Sequence, residues 1–201
     1  IHPELQLSVR DQCTNPHLVI TDSMNLWINT AKDDLLKVLK RTNIFLINEE
    51  ESQQLTTREN LADAAEQLLQ MGPDTVIIKM GSRGSAIFTA DDCTCIPAVS
   101  DVSVIDPTGA GDTFGGGMSA LLVLGESLLN AVSEGTAWAS VCVEGFGIEK
   151  TLRTERAEID RRKAEVLSGV TTCSKNGIPL HSGTILGQLT RKLWLTIKIL
   201  F

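Results

Sequence analysis

One stretch of the chain combines a carboxylate with closely spaced glycines, which are residues that an anion-handling site needs. It reads DPTGAGDTFGGG over residues 106–117 and lies between apolar segments at 102–105, predicted to be a strand end, and at 118–124, predicted to be a helix. Small residues at 109–111 would let an anion approach the free N–H groups at the start of that helix. Asp112 then lies beside the anion, where its carboxylate can accept a hydroxyl proton. The pattern therefore predicts phosphoryl-transfer chemistry.

The same stretch resembles the second signature of the PfkB/ribokinase family of sugar and nucleoside kinases, D-x-x-G-A-G-D-x-F-x-x-G. All of its fixed positions are filled, namely Asp106, Gly109, Ala110, Gly111, Asp112, Phe114 and Gly117. The resemblance implies that Asp112 is the catalytic base and that residues 109–111 form the anion hole. The alternative is a plain turn between a strand and a helix, with Asp112 as a capping residue.

A second motif, N-x-x-E, is formed by Asn48 and Glu51 at the end of a predicted strand over 43–48. Mg²⁺ keeps several of its waters and needs few protein ligands, so one amide and one carboxylate can suffice. The resemblance implies that these two residues position Mg²⁺ through water. The alternative is an acidic helix start, where glutamates favour the helix dipole.

A third motif follows the predicted strand over 75–79. Lys79, Gly81 and Gly84 resemble the strand and turn that lie beside the nucleotide in this family. The resemblance implies ATP binding, with the glycines near the triphosphate and Lys79 as a point charge on phosphate oxygens. The alternative is a β-turn that carries a surface lysine.

Two further sets of residues depend on the resemblance alone. Ala139, Val143 and Gly147 lie where family members close over adenine and are small enough to accept a base; the alternative is a plain buried helix. Asp106 and Thr108 match positions that bind a monovalent cation such as K⁺ in some members. The alternative there is that Asp106 caps its own turn.

Asp22 ends a predicted strand over 17–22, and Asn25 follows it. At the carboxyl end of a strand in an α/β sheet, an acid can contact a ligand. It can equally cap a turn, and we favour the structural interpretation. Trp138 is predicted to lie in the core.

Strands that alternate with helices must position all of these residues. A hairpin partner at 85–88 and a strand region at 95–97 are predicted after the three strands named above. Helices are predicted at 31–41, 56–70, 128–146 and 155–167, and a capping box of Thr56 and Glu59 opens the second of them. This order predicts an α/β fold, a three-layer α/β/α sandwich that is ribokinase-like with a mostly parallel sheet.

The resemblance covers roughly residues 3–167, which correspond to the C-terminal part of the family fold. We predict that residues 1–168 are the nucleotide-binding and catalytic part of a ribokinase-like domain that lacks the N-terminal strands and the lid. Residues 169–201 fit no family pattern and are predicted to be a separate tail. The first residue is Ile1 rather than Met, which suggests a fragment or a processed chain, so this chain can be inactive although its parent is a kinase.

Composition limits the partners. The net charge of −7 argues against nucleic acid or an anionic membrane surface as the main partner, and no signal peptide or bilayer-spanning apolar run is found. Five cysteines without a C-x-x-C pair make a zinc site or a disulfide framework unexpected. Cys93 and Cys95 are predicted to share a strand face or a turn. A reducing cytoplasm is the predicted location.

The sequence thus predicts an ATP- and Mg²⁺-dependent kinase that transfers the γ-phosphate to a hydroxyl of a small sugar or sugar-like substrate. Two alternatives stay open. One is a nucleotide-binding fragment without catalysis, and the other is a kinase of nucleosides or of vitamin-type hydroxymethyl compounds. The resemblance also allows a homodimer in the full-length parent.

Overall fold

A computed structural model describes residues 1–173, so most of the tail predicted at 169–201 lies outside the described residues. The described strands form one mixed sheet in the order β1-β2-β3-β4-β5-β6. The strands are β1 (Ile20–Asp22), β2 (Ile44–Asn48), β3 (Thr75–Lys79), β4 (Ser85–Phe88), β5 (Cys93–Ile96) and β6 (Thr171–Thr172). The helices are α1 (Pro3–Asp11), α2 (Asn25–Thr30), α3 (Lys32–Leu39), α4 (Glu49–Thr56), α5 (Leu61–Gln70), α6 (Ala110–Val123), α7 (Leu128–Cys142), α8 (Glu149–Arg153) and α9 (Arg156–Ser168).

The strand directions decide where a site can form. β1, β2 and β3 pair in parallel, whereas β3 to β6 pair antiparallel as a ribbon. The parallel strands end at Asp22, Asn48 and Lys79, and Asn48 is the register partner of Lys79. Three polar residues singled out in the sequence therefore lie along the same edge of the sheet.

The sheet lies between two layers of helices because its strands alternate buried side chains between both faces. Phe45 and Ile47 of β2 face a core that helices α2 to α5 cover. Ile44 and Leu46 face a second core, which is built with residues of α6, α7 and α9. The predicted α/β/α sandwich is confirmed.

The strand predicted over 102–105 is wrong. Val104 and Ile105 are 64% and 52% exposed, and the Ile105 N–H donates to the carbonyl of Val143 at 2.7 Å rather than to a strand. A loop thus leads into α6, and its backbone is held by the end of α7.

The predicted capping box at Thr56–Glu59 is also wrong. Thr56 is the last residue of α4, and Asn60 caps α5 by accepting the N–H groups of Ala62 at 2.8 Å and Asp63 at 3.3 Å. The amide oxygen of Asn and the hydroxyl oxygen of Thr can both cap a helix, so the spacing alone pointed to the wrong residue.

A disulfide joins Cys95 to Cys173, although the sequence made a disulfide framework unexpected. β6 pairs with β5, and the Cys173 N–H donates to the Cys93 carbonyl at 2.9 Å. The two bonded cysteines are 78 residues apart in sequence, so only the topology reveals the pair. Cys93 and Cys95 do share a strand face, since both belong to the first core. Burial raises the pKa of the free Cys93 thiol to about 12.

Within residues 1–173, no helix combines the length and the apolarity that crossing a bilayer requires.

Ion pairs fasten α7 to α9. Arg162 donates to Glu144 at 2.8 Å and to Glu158 at 2.7 Å. Burial alone would raise the pKa of Glu144, but hydrogen bonds from Lys150 and Arg162 outweigh it and hold this pKa below its ordinary value. Hydrogen bonds from Arg161 and Arg162 lower the pKa of Glu158 from 4.5 to about 2.

These shifts predict a loss of stability in acid. Because the folded-state pKa values of both glutamates lie below their unfolded values, their contribution is complete above pH 4.5 and is lost as the pH falls towards about 2. Urea unfolding across this pH range should show the loss. Glu158→Gln should make the midpoint less dependent on pH within the same window. An unchanged dependence would contradict this account.

Candidate active site

An ion pair joins the ends of two parallel strands. Lys79 Nζ donates to Asp22 Oδ2 at 2.7 Å, and their side chains are 19% and 34% exposed. Lys79 is therefore a half-buried cation beside the sheet edge and not a free surface lysine. Asp22 also accepts the N–H of Ser23 at 2.9 Å, which agrees with the structural role favoured for this acid.

The N terminus of α6 lies next to this ion pair. A Cβ built on Gly111 would come within 3.4 Å of Lys79 Nζ and 3.8 Å of Asp22 Oδ2. Glycine keeps this space clear, so an oxygen of a ligand could reach both the helix N terminus and the ammonium group. The structure thus brings the predicted anion hole and the predicted phosphate-binding lysine together.

Backbone geometry at the start of α6 suits an anion. Gly109, at φ +80°, adopts the left-handed conformation, and no side chain caps the helix. The Ala110 N–H donates to Pro107 O at 3.2 Å. Within the described residues, the N–H groups of Gly111 and Asp112 have no hydrogen-bond partner, which leaves them free for a ligand.

Asp112 is exposed and faces open space. It lines a cleft of about 350 Å³ together with Gly111, Asp22 and Ser23, and α1 forms another part of the wall. The Ser23 hydroxyl is buried and has no partner in the described chain. An acceptor hydroxyl in this cleft could contact the Asp112 carboxylate, which is the geometry that a general base requires.

Asn48 and Glu51 form a reciprocal capping box at the start of α4. Asn48 Oδ1 accepts the Glu51 N–H at 2.8 Å, and Glu51 Oε2 accepts the Asn48 N–H at 3.1 Å. The acidic helix start considered as an alternative is thus present. Glu51 is 6% exposed, and burial raises its pKa, although nearby Lys79 acts in the opposite direction. A role in placing Mg²⁺ stays a prediction for both residues.

The two glycines of the turn after β3 differ in their surroundings. Gly81, at φ +59°, has open space where a side chain would point. A Cβ on Gly84, at φ +85°, would lie 2.0 Å from the Ile96 carbonyl oxygen. The packing of β5 therefore requires glycine at position 84, whereas position 81 is open to a ligand. Nucleotide contact stays a prediction at both.

The remaining predicted residues gather where α7 ends. Val143 O accepts the N–H groups of Ile105 at 2.7 Å and Asp106 at 3.2 Å. Asp106 Oδ1 accepts the Thr108 N–H at 3.0 Å, and this bond lowers the pKa of Asp106. The turn-capping alternative for Asp106 is thus present, and cation binding there stays a prediction.

Adenine contact in the same region stays a prediction. Gly147 is exposed, and Ala139 and Val143 are half-buried. Small residues therefore lie close to the motif loop, with part of their surface open to a ligand.

Sequence reasoning missed the packing role of two glycines. A Cβ on Gly117 would lie 2.7 Å from Trp138 Cδ1, and one on Gly135 would lie 2.5 Å from Phe114 O. Both keep α6 close to α7, and a glycine within a long apolar helix was the available signal. Trp138 is half-buried, packs against a small core and donates to Glu134 Oε1 at 3.1 Å.

Comparison with known proteins finds similarity to one family of kinases. The model of the pfkB family of carbohydrate kinases matches residues 8–155. A nucleoside kinase of Methanocaldococcus jannaschii is 31% identical over 161 residues, which is 79% of this chain and 52% of the relative. The crystal structure of a nucleoside kinase from that organism superposes with a TM-score of 0.67 and 30% identity over 81% of this chain and 53% of the other.

Two ligand-bound structures are also similar. The aminoimidazole riboside kinase of Salmonella enterica, complexed with aminoimidazole riboside and an ATP analogue, gives a TM-score of 0.63 and 26% identity over 80% of this chain and 56% of the other. A ribokinase II structure from E. coli in complex with ATP and Mg²⁺ gives a TM-score of 0.59 and 25% identity, over 82% of this chain and 46% of the other. This chain spans about half the length of the nucleoside kinase that it matches, in sequence and in structure.

Proposed function

Because this chain belongs to the pfkB family of carbohydrate kinases, we propose that its site serves transfer of the γ-phosphate of ATP to a hydroxyl of a small sugar-like or nucleoside acceptor. The observation that supports this most is that Gly111 and Asp112 line one cleft, while Lys79 Nζ lies 3.4 Å from the position of a Cβ on Gly111. An anion site and an exposed carboxylate at the same helix N terminus are the two parts that phosphoryl transfer to an alcohol needs.

Each residue has a separate task in this proposal. ATP with Mg²⁺ supplies the activated phosphoryl group. Asp112 accepts the proton of the acceptor hydroxyl, and the N–H groups of Gly111 and Asp112 stabilise negative charge with the dipole of α6. Lys79 pairs with phosphate oxygens. Asn48 and Glu51 hold the metal through its waters, because oxygen ligands suit Mg²⁺.

A panel of acceptors tests the function. The chain is incubated with ATP·Mg²⁺ and sugars, nucleosides or hydroxymethyl compounds, and products are followed by ³¹P NMR. We expect a phosphomonoester of one acceptor class together with ADP. Inorganic phosphate alone, or no turnover with any acceptor, would contradict the proposal.

A second candidate function is nucleotide binding without catalysis. It is favoured by one observation, namely that the chain spans 52% of the nucleoside kinase that it matches. Calorimetric titration with ATP·Mg²⁺ beside the acceptor panel separates the two. Binding without transfer would support the second candidate for this chain.

The ion pair at the sheet edge gives a further prediction. Lys79→Met should weaken ATP·Mg²⁺ binding by about 10- to 100-fold, because a charge-assisted hydrogen bond to phosphate contributes about 1.5–3 kcal/mol. Asp22→Asn should strengthen binding, because it removes a carboxylate that competes with phosphate for Lys79. Titration calorimetry measures both changes.

Lys37→Met is the matched control for Lys79→Met. Lys37 forms a pair of the same 2.7 Å length with Asp34, but it is exposed on α3. We expect its replacement to leave the affinity unchanged. Equal affinities for the Lys79 and Lys37 variants would remove Lys79 from the phosphate site.

A further inference from the structure

A buried arginine fastens the last turn of α7 to α9. Arg162 is only 7% exposed, and it donates to Ser140 Oγ at 2.9 Å, Glu144 Oε2 at 2.8 Å and Glu158 Oε1 at 2.7 Å. Lys150 Nζ donates to the same Glu144 oxygen at 2.7 Å. Ser140 and Glu144 lie on either side of the C-terminal end of α7. Because charge-assisted bonds of this kind are directional, they hold that end in one geometry.

The same end of α7 holds the loop that leads into the candidate active site. Val143 O accepts the N–H groups of Ile105 at 2.7 Å and Asp106 at 3.2 Å, and Cys142 Sγ donates to Thr108 O at 3.7 Å. The last carbonyls of a helix have no partner within the helix, which leaves Val143 O free for this purpose. The loop therefore takes its position from α7.

The loop in turn sets the start of α6. A Cβ on Gly109 would lie 3.9 Å from Cys142 Sγ, so the left-handed residue before α6 directly faces α7. From Gly109 the chain passes through Ala110 to Gly111 and Asp112, which line the cleft and whose N–H groups have no partner within the described residues. A shift of the last turn of α7 would consequently move these groups.

We propose that Arg162 is a positioning residue for the candidate active site, because it fixes the end of α7 that holds the loop at 105–109 and the N terminus of α6. The catalytic role of the groups that this loop positions rests on the proposed function. The coupling between Arg162 and the loop does not, since it follows from the contacts of the fold. Neither the signature nor the family comparison assigns a role to this arginine.

Amide hydrogen exchange tests the coupling directly. Arg162→Met keeps the length and the apolar stem of the side chain but removes all three hydrogen bonds. We expect the amides of Ile105 and Asp106 to exchange about tenfold faster or more, while those of Leu46 and Ile77 in the sheet keep their rates. Arg161→Met is the matched control, since Arg161 is 60% exposed and pairs with Glu158 and Glu165 on α9 itself.

Every outcome of this experiment is decisive. Unchanged exchange rates at Ile105 and Asp106 would overturn the proposal, because Arg162 would then have no role in holding the loop. An equal increase in exchange throughout the sheet would also overturn it, because Arg162 would then be a general stabiliser of the fold. Should Arg162→Met fail to fold, Glu144→Gln replaces it, since it keeps the shape of the side chain and removes one charged partner.

Nucleotide binding forms a second arm. ATP·Mg²⁺ affinity should fall about tenfold in Arg162→Met and stay constant in Arg161→Met. If the unaltered chain binds no ATP, the proposed function is wrong. The hydrogen-exchange measurement still shows whether Arg162 positions the loop. The two failures are therefore distinguishable.

Discussion

Replacing Asp112 with asparagine should lower the rate of phosphoryl transfer by about 10²- to 10⁴-fold, the range that a positioned general base contributes. The amide keeps the shape of the side chain but cannot accept the acceptor's proton. ATP·Mg²⁺ affinity should stay the same or rise, because a negative charge beside the phosphate site is removed. Turnover and ATP·Mg²⁺ affinity are both measured on this chain.

Asp63→Asn is the control for this variant. Asp63 is the third residue of α5, as Asp112 is of α6, so both replacements remove an acid from the first turn of a helix. We expect Asp63→Asn to leave turnover unchanged and to have only the small effect on stability that the helix dipole gives. Turnover of Asp112→Asn within a few-fold of the unaltered protein would end the assignment of Asp112 as the base.

Replacing Gly84 with alanine should destabilise the fold by about 3 kcal/mol or more, the largest stability effect that we expect from one methyl group. Its Cβ would lie 2.0 Å from the Ile96 carbonyl oxygen and 2.6 Å from the Pro97 carbonyl carbon. Both atoms belong to the backbone, so relief requires β5 or the segment after it to move. Thermal and urea unfolding measure the loss.

Gly81→Ala separates this clash from backbone strain. Gly81 and Gly84 both have positive φ, at +59° and +85°, but nothing lies within 4 Å of a Cβ on Gly81. We expect Gly81→Ala to cost about 1 kcal/mol for the left-handed conformation alone. Similar losses in both variants would contradict the packing argument for Gly84.

The fold was predictable from sequence where local pattern and topology agree. The apolar runs that end in Asp22, Asn48 and Lys79 are parallel strands, and the hairpin partner at 85–88 is β4. The strand prediction at 102–105 was wrong. An apolar run indicates burial, but Val104 and Ile105 are exposed. Apolarity alone does not show whether a neighbouring strand has an open edge.

The candidate site was predictable as a set of residues and not as a set of contacts. Spacing located Asp112, Gly111 and Lys79, but it could not show that Lys79 is paired with Asp22. Contacts between distant segments leave no local periodic signal. For the same reason the bond between Cys95 and Cys173 and the role of Arg162 became visible only when the strands and helices were in place.

The proposed phosphoryl transfer depends on phosphate binding at the start of α6, beside Asp112. The most direct measurement is an NMR titration of this chain with ATP·Mg²⁺ that follows the backbone amides of Gly111 and Asp112. We predict that both signals move together and give the same dissociation constant as calorimetry. Calorimetric binding of ATP·Mg²⁺ with both amide signals unmoved would contradict the account, because the nucleotide phosphates would then lie elsewhere.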